Sequence, residues 1–229
     1  MTKNNPELGR QIHKHLVMKG VESPILFDKY NSTSAKEKVG IIQPLIQEAL
    51  ETLGFDLTND SVKDTPKRVA KMWVEEIMTG LDYDNFPKVM TFANTFKTED
   101  MVVERNMKSM SLCSHHLVTI DGKAWVAYIP KDKVIGLSKI NRVVDFFSRR
   151  PQEAERLALQ IYHALEYILG TDDIAVYLQG THYCVKSRGI NDADSDTVTA
   201  KMGGRFFSDA RARAEFYSIV QSGLVQGSR

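Results

Sequence analysis

The spacing of apolar positions changes period along this chain, from helical in the first third to alternating in the middle. Pro6 to Lys19 reads as a helix with Ile12, Leu16 and Val17 roughly on one side, and "VESPILFDKYN" then breaks the pattern. A second helix is predicted from Ser34. Ser34 and Glu37 stand at capping-box spacing, and Ile41, Ile42, Leu45, Ile46, Ala49, Leu50 and Leu53 make an apolar stripe. Gly54 stops it, and a bend is expected at Pro44. A third helix falls in "DTPKRVAKMWVEEIMTG", with Thr65 as its cap and Pro66 in its first turn. Val69, Met72, Trp73 and Ile77 are its expected buried side.

After about residue 88 strands are predicted: around 89–95 and 101–111, then "HLVTI" and "KAWVAYI" flanking an Asp121-Gly122 turn. Helical spacing returns in "SKINRVVDFFSRR" and in "EAERLALQIYHALEYILG", where Gly170 is a good stop. A long strand, "IAVYLQGTHYCVKSRG", a shorter one from Met202 to Phe207 and a closing helix from Asp209 to Gln221 complete the chain. The fold class is α+β, with a helical N-terminal region over 1–88 and an antiparallel sheet with helices over 89–229.

Composition narrows the possibilities. With 30 basic and 29 acidic residues the formal charge is +1, which gives no general attraction to nucleic acid or anionic membranes. No apolar run is long enough to span a bilayer, and the N-terminus lacks a signal peptide's apolar segment. Two cysteines make no disulfide framework, so a cytoplasmic enzyme or binding protein is expected.

Those two cysteines are the first candidates for chemistry. Cys113 and His116, in "LCSHHLV", are separated by two residues, and Cys184 in "THYCVKSRG" supplies a third donor if its strand packs alongside. Thiolate and imidazole together suit zinc, and three protein ligands leave the open position of a catalytic site. Spacing alone leaves inert buried cysteines as an equal alternative. On a strand, His182 would share a side with Cys184. His115 and His182 are candidate proton carriers, because imidazole titrates near neutrality.

Three longer stretches carry a resemblance. Residues 113–157, "CSHHLVTIDGKAWVAYIPKDKVIGLSKINRVVDFFSRRPQEAERL", together with "THYCVKSRG" and "DTPKRVAKMWVEEIMTGLDYDNFPK", resemble GTP cyclohydrolase I of the bacterial type, from about residue 34 to the final helix. The resemblance implies the tunnelling fold, a four-stranded antiparallel sheet packed by helices. It implies zinc on Cys113, His116 and Cys184, catalysis by His115 and His182, and conversion of GTP to formate and 7,8-dihydroneopterin triphosphate. It further implies triphosphate binding by Ser138, Lys139, Arg142 and Arg188, with Arg68 from a neighbouring subunit, and guanine recognition by Glu155. Pentamers stacked into a homodecamer, with sites between subunits, are implied too. Independently, "SKINR" is a sensible anion site if Ser138 caps a helix whose first amides face phosphate.

The chain departs from the family pattern in places. Ser114 stands where glutamate is usual, Ala154 where glutamine is usual, and "YLQG" and "TVTAKMGGRFF" differ as well. Two further readings follow: hydrolysis of a related purine nucleotide, or a nucleotide- or pterin-binding paralogue without catalysis.

Overall fold

The computed structural model describes residues 4–225, with helices first and the main sheet after them. Helix α1 (Pro6–Met18) starts at Asn5, whose side chain accepts the Leu8 amide at 3.1 Å, and Pro6 sits where no helical donor is needed. Ile12 and Leu16 enter the main core, but Val17 is exposed. The first two are one turn apart, whereas Val17 lies about 100° further round.

A single turn, α2 (Phe27–Asn31), leads to α3 (Ala35–Thr52). The capping box forms as expected: the Glu37 amide donates to Ser34 Oγ at 3.3 Å, and the Ser34 amide to Glu37 Oε2 at 2.8 Å. The helix runs through Pro44, yet no residue of its apolar stripe is buried within the chain; Ile41 and Leu45 remain 59% and 60% exposed. Helix α4 (Thr65–Lys71) has Asp64 rather than Thr65 at its N-cap position, without a side-chain capping bond, and passes into a π-helical segment, Met72–Ile77. Its buried residues are Pro66 and Ala70; Val69, Trp73 and Ile77 are half-buried and Met72 is exposed. The wider turn shifts the face that the regular period would have buried.

Strands β1 (Thr91–Ala93) and β4 (Lys133–Ile135) form a small antiparallel pair. The main sheet contains β2 (Val102–Cys113), β3 (Thr119–Tyr128), β5 (Pro151–Gln152), β6 (Ile174–His182) and β7 (Thr197–Met202). Its order is β5-β2-β3-β6-β7; β5 joins in parallel and the four longer strands are antiparallel. Helices α5 (Leu137–Ser148) and α6 (Ala154–Leu169) pack on one face, joining Ile140, Val144, Ile161 and Leu165 to Ala124 and Val126. The alternate residues Trp125 and Ala127 point the other way. They meet Phe206 of α8 (Gly204–Ser208) and Phe216 of α9 (Ala210–Val225). This antiparallel sheet packed by helices, preceded by a helical region, is the α+β tunnelling-fold architecture. Among the described residues no helix is long and apolar enough to cross a membrane.

Several local expectations are corrected. Asp121-Gly122 is no hairpin turn, because β3 runs straight through it; the reversal lies at 114–118, where Leu117 takes a left-handed φ of 52°. Gly122 instead pairs with Ser109 on one side and Gly180 on the other. A Cβ there would stand 2.8 Å from the Gln179 carbonyl oxygen and 3.0 Å from that of Ser109. The glycine serves close approach of strands. The long strand ends at His182 and turns into α7 (Tyr183–Lys186). The strand expected over Met202–Phe207 lies earlier, as β7, and the chain is helical by Gly204.

A buried polar network ties the N-terminal segment to the sheet. Arg150 is fully buried, donates to the Gly80 carbonyl, and approaches Glu22 Oε1 at 3.3 Å. Glu22 Oε2 accepts from Tyr83 Oη at 2.6 Å and His13 Nδ1 at 2.8 Å. The Glu22 carboxylate and the Gly80 carbonyl offset much of the cost of burying the guanidinium, although Arg150 Nε has no partner.

Replacing Gly122 by valine should lower stability by about 2 kcal/mol or more, because rigid backbone atoms occupy the added volume. Urea unfolding followed by tryptophan fluorescence measures this; an unchanged midpoint would contradict the close-approach reading.

Candidate active site

The end of β2 presents Cys113, and three backbone contacts hold it. The Cys113 amide donates to Val118 O at 2.8 Å, the Leu117 amide to Cys113 O at 2.8 Å, and the Ser114 amide to Gln152 O at 3.0 Å. The last contact uses β5, a two-residue strand that sequence periodicity missed although its residues lie in the quoted motif. On the other side, the β3–β6 register sets Ile120 opposite His182, bringing the end of β6 beside the 114–118 reversal. Helix α7 then carries Cys184. The expected placement of His182 and Cys184 on one side of a strand is therefore corrected: they are separated by a change from strand to helical turn.

The result brings the three metal-ligand candidates together. Ligand atoms of Cys113, His116 and Cys184 lie within 4.8 Å of one another. Burial pushes the Cys113 thiol up, but contacts from the His116 side chain and from the His115 and His116 amides outweigh it, leaving the thiol at about 6. Burial pushes the Cys184 thiol up, and the adjacent Cys113 sulfur adds to this. Two neighbouring thiolates repel, and a divalent cation between them removes that penalty. Two sulfurs and one imidazole are a donor set that fits zinc. Ser114 Oγ, next to this set, is buried without a hydrogen-bond partner.

Of the candidate proton carriers, His115 touches the cluster, and His182 immediately precedes the turn that carries Cys184. His115 Nδ1 is 3.8 Å from Cys113 Sγ. Burial holds the His182 imidazole below its ordinary value, against the opposing influence of the Glu155 carboxylate, so its neutral form is favoured. His182, Ala154, Gln152 and Leu157 share one small pocket. Arg188 Nη1 lies 2.9 Å from His116 Nε2; a guanidinium can only donate, so that ring nitrogen accepts.

The remaining candidates make no polar contact with this group among the described residues. Gly136, not Ser138, occupies the N-cap of α5, and no side chain caps that helix. Lys139 and Arg142 follow at i,i+3 spacing on it, and Arg142 lines a separate surface cavity with Asn85, Asp145 and Arg149. Arg68 is on α4, 3.6 Å from Asp64. Among the described residues no hydrogen bond or ion pair links Arg68, Ser138, Lys139 or Arg142 to the thiol cluster.

Comparison with known proteins agrees with this chemistry. The family model described as GTP cyclohydrolase I matches residues 42–221. GTP cyclohydrolase 1 of Yersinia pseudotuberculosis serotype O:1b (strain IP 31758) is 50% identical over 210 residues, 92% of this chain and 94% of that protein. Those of Tolumonas auensis and Aliivibrio salmonicida are each 50% identical, covering 90% of this chain and 94% of theirs. The crystal structure of the archaeosine synthase QueF-Like in the apo form is more distant, with a TM-score of 0.37 and 19% identity over 47% of this chain and 98% of that one. On the length and identity of the curated matches, this chain belongs to the GTP cyclohydrolase I family.

Proposed function

We propose that this chain is a zinc-dependent hydrolase that opens GTP at purine C8, releases formate and rearranges the product to 7,8-dihydroneopterin triphosphate. The observation that carries the reading is the Cys113–His116–Cys184 cluster, with His115 against Cys113, in a chain matching the family over most of its length. When bound, zinc supplies Lewis acidity that makes water a competent nucleophile near neutral pH. His182, favoured neutral by burial, accepts a proton as water attacks and delivers it to the departing ring nitrogen. His115 orients water beside Cys113. Glu155 accepts hydrogens from guanine N1 and the exocyclic amine, a pattern that adenine lacks.

The triphosphate is held by Arg188, Ser138, Lys139 and Arg142, with Arg68 reaching in from a neighbouring subunit. Residues 89–229 form the catalytic domain, completed in this way by the 1–88 region. The assembly is a decamer of two pentamers. Support comes from Arg68 pairing with Asp64, with no polar contact to the cluster among the described residues, and from the uncovered apolar stripe of α3, a surface of the kind that marks an interface.

Three outcomes are expected. Cys113→Ala and Cys184→Ala should each abolish the sulfur-to-metal absorption of the cobalt-substituted protein and cut formate release more than about 100-fold. Retention of both signals would remove the ligand assignment. Glu155→Gln should reduce the kcat/KM preference for GTP over ATP by about 10- to 100-fold, as expected for losing a charged hydrogen-bond acceptor. A substrate panel of GTP, ATP and modified guanine nucleotides, followed by formate release, reads this directly, and binding without formate would favour the noncatalytic alternative. Finally, mixed oligomers of inactive Arg68→Ala and inactive His182→Ala subunits should regain activity, because some interfaces then carry both native residues. Failure of well-mixed oligomers to recover would count against a shared site.

A further inference from the structure

A second group of donors lies where the N-terminal helix meets the catalytic domain. His15 of α1 and His163 and Glu166 of α6 present ligand atoms within 4.8 Å of one another. Glu166 Oε2 is 2.7 Å from His163 Nδ1 and 3.5 Å from His15 Nε2. The latter approach lacks hydrogen-bond geometry, so His15 Nε2 is buried without a partner. His163 and Glu166, three residues apart on one helix, necessarily project together. All three side chains are mostly covered, with 14–22% of their surface exposed.

We propose that His15, His163 and Glu166 form a second site for a divalent transition ion of the zinc class, bridging α1 and α6. Two imidazoles and one carboxylate suit zinc, nickel or copper, whereas magnesium and calcium favour oxygen donors throughout. Ligands about 2.0–2.2 Å from a tetrahedral ion stand about 3.3–3.6 Å from one another. The His15–Glu166 separation already meets this, and the His163–Glu166 separation opens when the ion replaces the proton between them. That proton leaves to solvent.

The surroundings contain opposing charge. Lys19 Nζ of α1 is 3.2 Å from Glu166 Oε2, and Lys201 of β7 adds positive potential at His163. Lys19 is 39% exposed on its side chain and can swing outward as the ion takes its place on the carboxylate. Lys201 stays over the Tyr162 ring, 4.9 Å from its centroid. The bound ion thus fastens the first helix to the helix whose opposite end carries Glu155.

Cobalt titration of the full chain, with metal content measured after gel filtration, tests the site. Two equivalents per chain are expected, one with sulfur-to-metal charge transfer and one with only weak visible bands. His15→Gln combined with His163→Gln should lose the second equivalent and keep the first, together with formate release. Glu166→Gln should weaken the second equivalent in the same way, and serves if the double variant misfolds. Lys19→Ala should tighten it by about threefold. Saturation of the native protein at the sulfur-ligated equivalent alone, or an unchanged second equivalent in the folded variants, would overturn the proposal. A sulfur-free equivalent without the sulfur-ligated one would uphold it while removing the Cys113 assignment.

Discussion

The alignment of β3 with β6 is the constraint on which the thiol cluster depends. Ile120 opposite His182 sets where β6 stops relative to the end of β2, and therefore where α7 delivers Cys184. A slip of one residue would turn every side chain of β6 to the opposite face, moving Ile174, Val176 and Leu178 out of the α5–α6 core towards α8 and α9, and withdrawing His182 from its pocket. The same alternation that buries the core therefore aims the chemistry. Stability and site geometry share one set of backbone hydrogen bonds.

What could be read from the sequence follows from how local each signal is. The start of α3 was legible because Ser34 and Glu37 satisfy each other within four residues. The end of α6 was legible because Gly170 adopts the left-handed conformation, φ 70°, that closes a helix. Asp121-Gly122 misled because a turn and a tight strand crossing both require glycine, and only the neighbouring strands distinguish them. The true reversal, "SHHLV", has no glycine or proline; it is held by Val118 and by Gln152 from a distant strand. Cys113, His116 and Cys184 stood out by residue type, but the helical turn that orients Cys184 did not. Ser138 was expected to cap α5, where the preceding Gly136 does so without a side-chain contact.

Two departures from the family pattern acquire a physical setting. Ala154 opens α6 at the wall of the pocket shared with His182, where it brings no side-chain hydrogen bond. Ser114 replaces an acidic side chain with a hydroxyl that has no partner inside the protein. Relative to that pattern both positions carry less polarity or charge, while Cys113, His116 and Cys184 remain together. The two departures alter the electrostatic surroundings more than the scaffold.

The Arg150 network has a consequence for how the chain can be divided. Its guanidinium sits immediately before Pro151 and Gln152, the strand whose carbonyl anchors the Ser114 amide. The only carboxylate within ion-pairing distance of it among the described residues is Glu22, far upstream in the sequence. A shortened protein beginning after that glutamate would keep Cys113, His116 and Cys184 yet leave a dehydrated cation without its counterion beside the thiol loop. The leading helical segment is thus an electrostatic component of the sheet, and a cut that looks harmless on a map of motifs would unsettle the loop from behind.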